Sequence, residues 1–571
     1  MNKKFLSKGK VLCGATLTAA VFLTGCGSDL DDFVFTTNNN VLPPVQLAPV
    51  AVNDAFNALG NATVNQAASG VLANDTINGA TITSFDAVGD QGGTIVLNAD
   101  GSFAYTPVFG FVGQEAFAYT ITNSAGHSTA TVTMTSTGEG FFVDNTAAPG
   151  GNGSQASPFN TLAQAIAAAN SGDTIFVERG DGTSTGLTGA QTLPAGVDLV
   201  GEGTGLILAQ TVVPAGQEPL ITGPITCLGD NTIKGFAIDI DGTNGIIVDG
   251  VGDVTISNNT FSTSTSTFEY INLDDVTGTT TIDSNVFGPM SSDEYIDIDN
   301  DNTNGDVTIT NNQFNDDNTS DPDEAVEFDI EGTSVMSVVF SGNIITSPTA
   351  GSGLSFGDGV EIDVNDTAQC TITCDNNNFT NVDDNALDFA ALPITTLTGS
   401  ITNNRAVAPD DHGFTIDANN GTMTLSGNTI TDTSQDGIQV RTDSLNATYI
   451  VTGNTITGSG GDAIDVDDGG NTNDMNIAIR NNTLTGSSLS SIRVDIGDSS
   501  FCLDITDNVV DTDMDFEESG AGSITIERFG STVAGPTFGD ELKTVNTFTA
   551  PATITGGGNI VDAVPGFCNI P

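Results

Sequence analysis

The chain has 571 residues and is strongly acidic, with 72 Asp and Glu residues against 12 Lys and Arg residues and a formal net charge of −60 at pH 7. A charge of this size excludes nucleic acid as a partner and opposes the direct approach of anionic glycans. It also makes the folded chain repel itself unless cations gather on its surface. The composition therefore predicts either simple solubility in a salty medium or a specific role in cation binding.

The first 25 residues are typical of a targeting segment. Four lysines lie within the first ten residues, and the short apolar stretch VLCGATLTAAVFL follows them. The sequence LTGC comes next; it ends at Cys26 and resembles the lipobox of bacterial lipoproteins. That resemblance implies cleavage before Cys26 and lipidation of its thiol. We therefore expect residues 1–25 to be a signal peptide and the mature protein to be lipid-anchored to the outer membrane at the cell surface, with no other membrane contact.

Two segments of different character precede the repeats. Residues 26–47 are polar and contain prolines, which predicts a flexible tether. Residues 48–137 alternate strand-like runs with turns, which predicts a small β-sandwich. Within them VLANDTINGATITSF, NADGSFAYTP and GQEAFAYTITNSAG resemble the cadherin-like, immunoglobulin-fold repeats of bacterial surface proteins. The resemblance implies a spacer or an adhesive module, and it makes Asp54 and Asp75 the positions to test for calcium.

From Phe141 the sequence changes again. The string FFVDNTAAPGGNGSQASPFNTLAQAIAAANSGDTIFVERG contains one amphipathic helix, with Leu162, Ala165, Ile166 and Ala169 on one face. Such a helix would cover the open first coil of a solenoid. The string resembles the N-terminal segment of pectin-lyase-like right-handed β-helix proteins. The resemblance implies the fold and leaves the function open, because this fold carries lyases, hydrolases, esterases, epimerases and non-catalytic adhesins.

Ten similar phrases recur between residues 254 and 510, each with an Asn followed two positions later by an apolar residue. Their spacing is 24 to 34 residues, and each unit shows period-2 β patterns without a helical period. Each unit is therefore predicted to be one coil of a parallel β-solenoid. We expect the asparagines to stack as an internal ladder at a turn. They are Asn259, Asn285, Asn312, Asn343, Asn377, Asn404, Asn428, Asn454, Asn482 and Asn508.

The predicted fold is all-β: a small β-sandwich followed by a right-handed parallel β-helix of about eleven to fourteen coils. The β-helix is expected over residues 138–530, and residues 531–571 are expected to cap its last coil. Cys370 and Cys374 lie on one predicted strand, roughly 13 Å apart, and should not bond each other. A disulfide between Cys502 and Cys568 would suit an exported protein.

The second strand of each coil carries acidic residues at its outward positions. Because successive coils lie about 4.8 Å apart, these carboxylates stack in columns and raise one another's pKa. Calcium takes six to eight oxygen ligands, which adjacent rows of Asp and Glu offer. The alternative is a solvated acidic face with diffuse sodium around it. The predicted calcium ligands are in the densest patch: Asp297, Asp299, Glu327, Asp329, Glu361 and Asp363.

Basic residues are rare, and two of them fall in neighbouring coils among carboxylates. His412 would stay protonated there and could act as a general acid. In the polysaccharide lyases that the chain resembles, an Arg or Lys base meets a calcium-bound acidic sugar on this strand face, which points to Arg441. Asp388 and Asp417 could instead be a hydrolase pair. The non-catalytic alternative is that Arg441 relieves repulsion by bridging Asp417 and Asp467.

Two functions follow from these observations. The first is a cell-surface lipoprotein whose acidic, calcium-binding β-helix binds glycans or another cell surface. The second is a calcium-dependent polysaccharide lyase or glycoside hydrolase acting on an extracellular acidic polysaccharide. The motifs of polygalacturonases are absent as a set, and the chain has no Trp to stack on sugars. Both functions have an extracellular polysaccharide or cell-surface glycan as the partner.

Overall fold

The computed structural model of the chain describes most of residues 46–563 and is almost entirely β-structure. The described helices are one short α-helix, Leu162–Ala168, and one 3-10 helix, Gly70–Leu72. None of the described helices has the length and apolar character needed to cross a membrane. The predicted signal peptide, Cys26 and nearly all of the predicted tether lie outside the described residues. The described ranges are 46–208, 211–240, 242–262, 268–290, 294–317, 322–349, 355–441, 447–468, 474–496, 500–518, 523–527, 546–548, 554–556 and 560–563.

The N-terminal part is a β-sandwich of two sheets. The larger sheet has its strands in the order Thr81–Phe85, Gly113–Asn123, Gly126–Val143 and Asp54–Gly60. The smaller sheet has them in the order Val64–Gln66, Phe103–Thr106 and Thr94–Leu97. Neighbouring strands are antiparallel except Gly126–Val143 and Asp54–Gly60, which are parallel. Tyr105, Phe117 and Tyr119 are buried between the sheets.

After the sandwich the chain winds into a right-handed parallel β-helix, which confirms the predicted fold class. Each regular coil adds one strand to each of three parallel sheets, named sheets 1, 2 and 3 in their order along a coil. Sheet 1 consists of Gln191–Leu193, Ile225–Cys227, Ile246–Asp249, Ile271–Asp274, Ile296–Asp301, Val326–Glu331, Glu361–Val364, Leu387–Ala391, Phe414–Asp417, Ile438–Arg441, Ile464–Asp467, Ser490–Ile496, Asp513–Glu518 and Ile554–Gly556.

Sheets 2 and 3 complete each coil. Sheet 2 begins with the end of Gly126–Val143 and continues through Thr174–Val177, Asp198–Gly201, Thr232–Lys234, Val254–Ser257, Gly278–Asp283, Asn304–Thr310, Val335–Ser341, Gln369–Asp375, Thr396–Thr402, Thr422–Ser426, Ala447–Thr452, Asp474–Arg480, Ser500–Thr506, Ser523–Glu527 and Ile560–Ala563. Sheet 3 consists of Leu220–Thr222, Ala237–Asp239, Thr260–Ser262, Val286–Phe287, Gln313–Asn315, Ile344–Thr346, Asn378–Thr380, Arg405–Val407, Thr429–Thr431, Thr455–Thr457, Thr483–Thr485, Val509–Val510 and Thr547–Phe548. A separate antiparallel hairpin joins Leu206–Ile207 to Thr211–Val213.

One continuous apolar core fills the solenoid because alternate residues of its strands point inward. Phe261, Phe287 and Phe314 are successive members of one inward column, and their rings stack with centroids 4.8 Å apart. The predicted helix is present as Leu162–Ala168, and Leu162 and Ala165 belong to this core. The helix therefore packs on the first coils, where the sequence places it.

The repeated asparagines form the predicted internal ladder. In a typical step, Nδ2–H of Asn312 donates to Oδ1 of Asn343 at 3.1 Å and to the carbonyl of Ile282 at 2.9 Å. The backbone N–H of Asn312 donates to the same Oδ1 at 2.9 Å. Asn546, which the sequence reasoning missed, continues the ladder beyond Asn508 at 2.9 Å.

The left-handed residue of each turn is not the ladder Asn itself but the residue before it. Asn311 and Asn376 have φ values of 56° there, and Gly342 has 69°. Asn, Asp and Gly adopt this region at low cost, which explains why NN, GN and DN pairs recur in the repeats.

The C-terminal segment adds strands to the solenoid beyond residue 530. Thr547–Phe548, Ile554–Gly556 and Ile560–Ala563 extend sheets 3, 1 and 2 respectively. The described part of the segment expected to be a cap thus continues the coil, and the longer gap before Asn546 hid this from the sequence pattern.

The described cysteines divide into free and paired residues. Cys227, Cys370 and Cys374 are free and buried. Cys370 and Cys374 therefore do not bond each other, as expected. Cys502 is disulfide-bonded, and Cys568 lies outside the described residues.

Candidate functional site

Sheet 1 presents its acidic residues in two outward columns, in the register that the sequence predicts. Column A stacks Asn272, Asp297, Glu327, Glu361, Asp388, Thr415 and Gln439. Column B stacks Asp274, Asp299, Asp329, Asp363, Ala390, Asp417 and Arg441. The predicted calcium ligands therefore lie on adjacent strands of one face.

A third column lies in the turn before each strand and faces column A. Its members are Glu294, Glu324, Asp358, Asn385, His412 and Asp436. The closest carboxylates combine this turn column with column A. One oxygen each of Glu294, Glu324 and Glu327 lie within 4.8 Å of one another, and so do oxygens of Glu324, Asp358 and Glu361. These five residues are called the carboxylate cluster.

The carboxylate cluster overlaps the predicted calcium site only in part. Of the six predicted ligands, Glu327 and Glu361 belong to it. Among the described residues, the other four predicted ligands form no such close group: Asp297, Asp299, Asp329 and Asp363. The sequence identified the turn column but did not rank it as a source of ligands, because a turn leaves the direction of its side chains undetermined.

The cluster holds its protons far more tightly than isolated carboxyl groups do. Burial is the largest cause and raises the pKa of Glu324 to about 9, with the charges of Glu361, Glu327 and Asp358 adding to it. Burial followed by the charge of Asp388 raises the pKa of Asp358 to about 8. Burial and neighbouring acids raise the pKa of both Glu327 and Glu361 to about 7.

Asp358 is the most deeply buried member of the cluster, with only 8% of its surface exposed. Its Oδ1 accepts the backbone N–H of Asn385 at 2.6 Å. Its other oxygen has no hydrogen-bond partner among the described residues. Ionising a carboxyl group in so buried a residue is costly unless a cation lies close to it. The donor set consists only of carboxylate oxygens, which calcium prefers.

His412 continues the turn column two coils further on. Its Nδ1 lies 3.2 Å from Oδ1 of Asp411 and 3.2 Å from Oδ1 of Asn385, and its Nε2 lies 3.4 Å from Oδ2 of Asp436. Burial disfavours its charged form, but the hydrogen bond to Asp436 and the surrounding acids outweigh burial and raise its pKa. The surrounding carboxylates thus favour the protonated form of the imidazole, which is the direction that the sequence reasoning expected.

Of the other predicted catalytic residues, Asp388 lies within electrostatic range of His412, whereas Arg441 and Asp417 lie further along the strand in column B. Arg441 is exposed and lies in register with Asp417 and Asp467, in column B. His412 lies five residues before Asp417, at most about 16 Å along the chain direction. Among the described residues the ion pairs involve His412, Arg480 and Arg493, so the expected Arg441 bridge is not formed there.

Asp388 interacts electrostatically with both His412 and Arg441. Burial, followed by the charge of Asp363, raises the pKa of Asp388 to about 6, while the charges of His412 and Arg441 oppose the rise. Asp388 and Asp417 are one coil and two residues apart, roughly 8 Å between Cα atoms.

The structure also gives the surroundings of two tyrosines next to sheet 1 and of the two acids singled out in the sandwich. Tyr270 and Tyr295 are fully buried and pack against each other with ring centroids 5.2 Å apart, so they offer no platform to a sugar. In the sandwich, Asp75 accepts the N–H of Val52 at 2.8 Å and the hydroxyl of Tyr119 at 3.0 Å. Beside it, burial raises the pKa of Asp54 to about 6.

Several solved structures are similar to the chain at low sequence identity. One is the A-module of a mannuronan C-5 epimerase of Azotobacter vinelandii, with 11% identity, a TM-score of 0.30, and 71% of this chain and 93% of that chain covered. A second such epimerase A-module from the same organism has 12% identity, a TM-score of 0.31, and coverage of 70% and 92%. A family 28 exopolygalacturonase of Yersinia enterocolitica has 12% identity, a TM-score of 0.24, and coverage of 81% and 86%.

The family model of the bacterial cadherin-like domain matches residues 46–138. No curated protein matches the chain. The matched residues coincide with the β-sandwich and end within the strand that starts the solenoid. Residues 46–138 of the chain are thus a bacterial cadherin-like domain, and a right-handed parallel β-helix follows it.

Proposed function

We propose that the protein is an exported cell-surface lipoprotein, anchored through Cys26, whose carboxylate cluster binds calcium and thereby holds acidic glycans. The observation that supports it most is the meeting of Glu324, Asp358 and Glu361, whose oxygens lie within 4.8 Å of one another. Asp358 adds a carboxylate of which only a small part is exposed. Such a group is stabilised by a cation with oxygen ligands.

The charge of the chain explains why a cation would be needed for this partner. A protein with a formal net charge of −60 repels an anionic polysaccharide. Calcium bound in the cluster would offset the negative charge locally, and its remaining ligand positions suit carboxylate and hydroxyl oxygens of a glycan. Binding through a cation also suits a face whose nearby tyrosines are buried, since sugars cannot stack on them.

The test is binding of a soluble polyuronate to the protein without its lipid, in calcium and in EDTA, followed by calorimetry with calcium alone. We expect binding in calcium only, and a loss of at least about tenfold in calcium affinity for the Glu324→Gln, Asp358→Asn double variant. The matched control is Asp299→Asn, Asp329→Asn, which removes the same charge from column B.

Three results would contradict the proposal. Polyuronate binding that persists in EDTA would remove the role of the cation. An equal loss in the column B control would show that total charge matters and the cluster does not. Calcium binding without any binding of polyuronates would leave a cation site and remove the glycan from the proposal.

The second candidate is a polysaccharide lyase or glycoside hydrolase, and the placement of His412 favours it. The ring nitrogens lie 3.2 Å from Asp411 and 3.4 Å from Asp436, which is the setting of a proton donor at neutral pH. A lyase acting on polyuronates forms an unsaturated product that absorbs near 235 nm. New absorbance that His412→Asn abolishes would establish the enzyme, and its absence across a panel of polyuronates would argue against the lyase.

A further inference from the structure

The cadherin-like domain and the β-helix share one strand. Gly126–Val143 pairs in parallel with Asp54–Gly60 of the sandwich up to Glu139. From Gly140 onward it pairs in parallel with Thr174–Val177, the next strand of sheet 2. Because the two pairings meet at consecutive residues, no linker separates the two parts of the molecule.

One outward column of sheet 2 changes from apolar to polar along the solenoid. Its first three members, Phe142, Phe176 and Val200, are 0%, 0% and 4% exposed. The next members in register are Lys234, Ser257, Asp283, Thr310, Ser341 and Asp375. An outward column is apolar only where something covers it.

The sandwich is what covers this part of the column. Phe142, Phe176 and Val200 belong to the sandwich core and not to the solenoid interior, which takes the intervening residues of the same strands. The rings of Phe142 and Phe176 lie 5.7 Å apart. Leu206 and Val212, from the hairpin after the third strand, join the same cluster.

The backbones at the junction approach closely and are also joined by polar contacts. A Cβ on Gly140 would lie 2.6 Å from Cδ2 of Leu59, so no larger residue fits there without a shift. Nδ2–H of Asn61 donates to Oε2 of Glu139 at 2.9 Å. Apolar burial, steric fit and hydrogen bonding together fix the angle between sandwich and solenoid.

We propose that the cadherin-like domain of this chain is the N-terminal cap and rigid mount of the β-helix. It covers three coils whose outer face is apolar, and it unfolds with them as one cooperative unit. The acidic face of sheet 1 is then held in a fixed direction relative to the N-terminal tether. A cadherin-like domain that served only as a spacer would need neither the shared strand nor the shared core.

The test is native-state hydrogen exchange on the full mature chain with the variant Phe117→Ala. Phe117 lies inside the sandwich, 3% exposed, and packs on Tyr105 with centroids 5.5 Å apart. We expect exchange to accelerate at least about tenfold in Gly113–Asn123 and by a similar factor in Thr174–Val177 and Asp198–Gly201. Sheet 1 strands beyond the fourth coil should keep the wild-type rates.

A control variant and a milder variant keep the test decisive. Val451→Ala makes a cavity far along the solenoid and should leave exchange in the sandwich unchanged. If Phe117→Ala does not fold, Phe117→Leu replaces it with a smaller expected acceleration. Faster exchange that stays confined to the sandwich would overturn the proposal, because the two parts would then open independently.

Discussion

The asparagine ladder and the carboxylate cluster are both formed by polar side chains of successive coils, yet they have opposite requirements. Each ladder Asn donates through Nδ2–H and accepts through Oδ1, so Asn312 and Asn343 satisfy each other. The members of the cluster can only accept when ionised. Burial and the charges of Glu361, Glu327 and Asp358 therefore raise the pKa of Glu324.

This contrast distinguishes columns that stabilise the fold by themselves from columns that need bound protons or cations. A buried stack that satisfies its own hydrogen bonds adds rigidity and needs nothing from solution. A stack of acceptors is stable only with protons or cations between its members. In a solenoid, the chemical type of a stacked column thus distinguishes architecture from candidate function.

Changing one ladder Asn into an acid should have the largest effect. Asn343→Asp removes the Nδ2–H groups that donate to the carbonyl oxygen of Ile309 and to Oδ1 of Asn377. The new carboxylate oxygen is a buried acceptor that faces these two acceptors. We expect a loss of about 3–5 kcal/mol in the free energy of unfolding at pH 7, measured with urea. Asn476→Asp makes the same chemical change at a half-exposed position and should cost less than about 0.5 kcal/mol. Equal losses would remove the distinction between the two kinds of column.

Calcium should stabilise the protein through the cluster. At a free calcium concentration of a hundred times Kd the expected gain is about 2.7 kcal/mol, seen as a higher Tm than in EDTA. Glu324→Gln should shrink this gain, because Glu324 belongs to both close groups. In EDTA the same variant should melt above the wild type, since Gln needs no proton to be uncharged and Glu324 does. A variant that melts lower in both conditions would show Glu324 to be structural.

In EDTA the stability of the protein should fall as the pH rises from 6 to 9. The folded-state pKa of Glu324 is raised to about 9 and that of Asp358 to about 8, so the folded protein keeps protons that the unfolded chain has lost. Stability from these groups is complete below their unfolded pKa and is lost as pH rises through the folded values.

His412, whose pKa is also raised, acts in the same direction over this range. The control is therefore the Glu324→Gln, Asp358→Asn double variant, whose Tm should depend less on pH than that of the wild type. A Tm that rises from pH 6 to pH 9 in EDTA would contradict the raised pKa values of the cluster.

Arg441→Ala should have the smallest effect on stability, within about 0.5 kcal/mol, because the side chain is exposed and forms no ion pair with the described residues. Calcium affinity should also stay unchanged. The same variant should also be assayed for activity on polyuronates. If the wild type produces new absorbance near 235 nm and the variant does not, Arg441 belongs to a catalytic site.

The repeat predicted the solenoid, the ladder and the register of columns A and B, because all three follow from residue spacing. It could not predict that Glu324 and Asp358 turn toward column A, since this depends on the conformation of a turn. Asn546 was missed because 38 residues separate it from Asn508. Phe142 and Phe176 carried a readable signal of the junction, as apolar residues at positions that are polar in later coils.

The three free thiols of the described residues are buried, and burial raises the pKa of Cys227 and of Cys370 to about 12 and also raises that of Cys374. A thiol reagent therefore reacts with them only after the surrounding coil has opened. Cys227 lies on the sheet 1 strand Ile225–Cys227 of an early coil, and Cys370 and Cys374 lie in the middle of sheet 2. The native chain thus carries reporters at two depths of the stack, and their labelling rates would show from which end the solenoid unwinds.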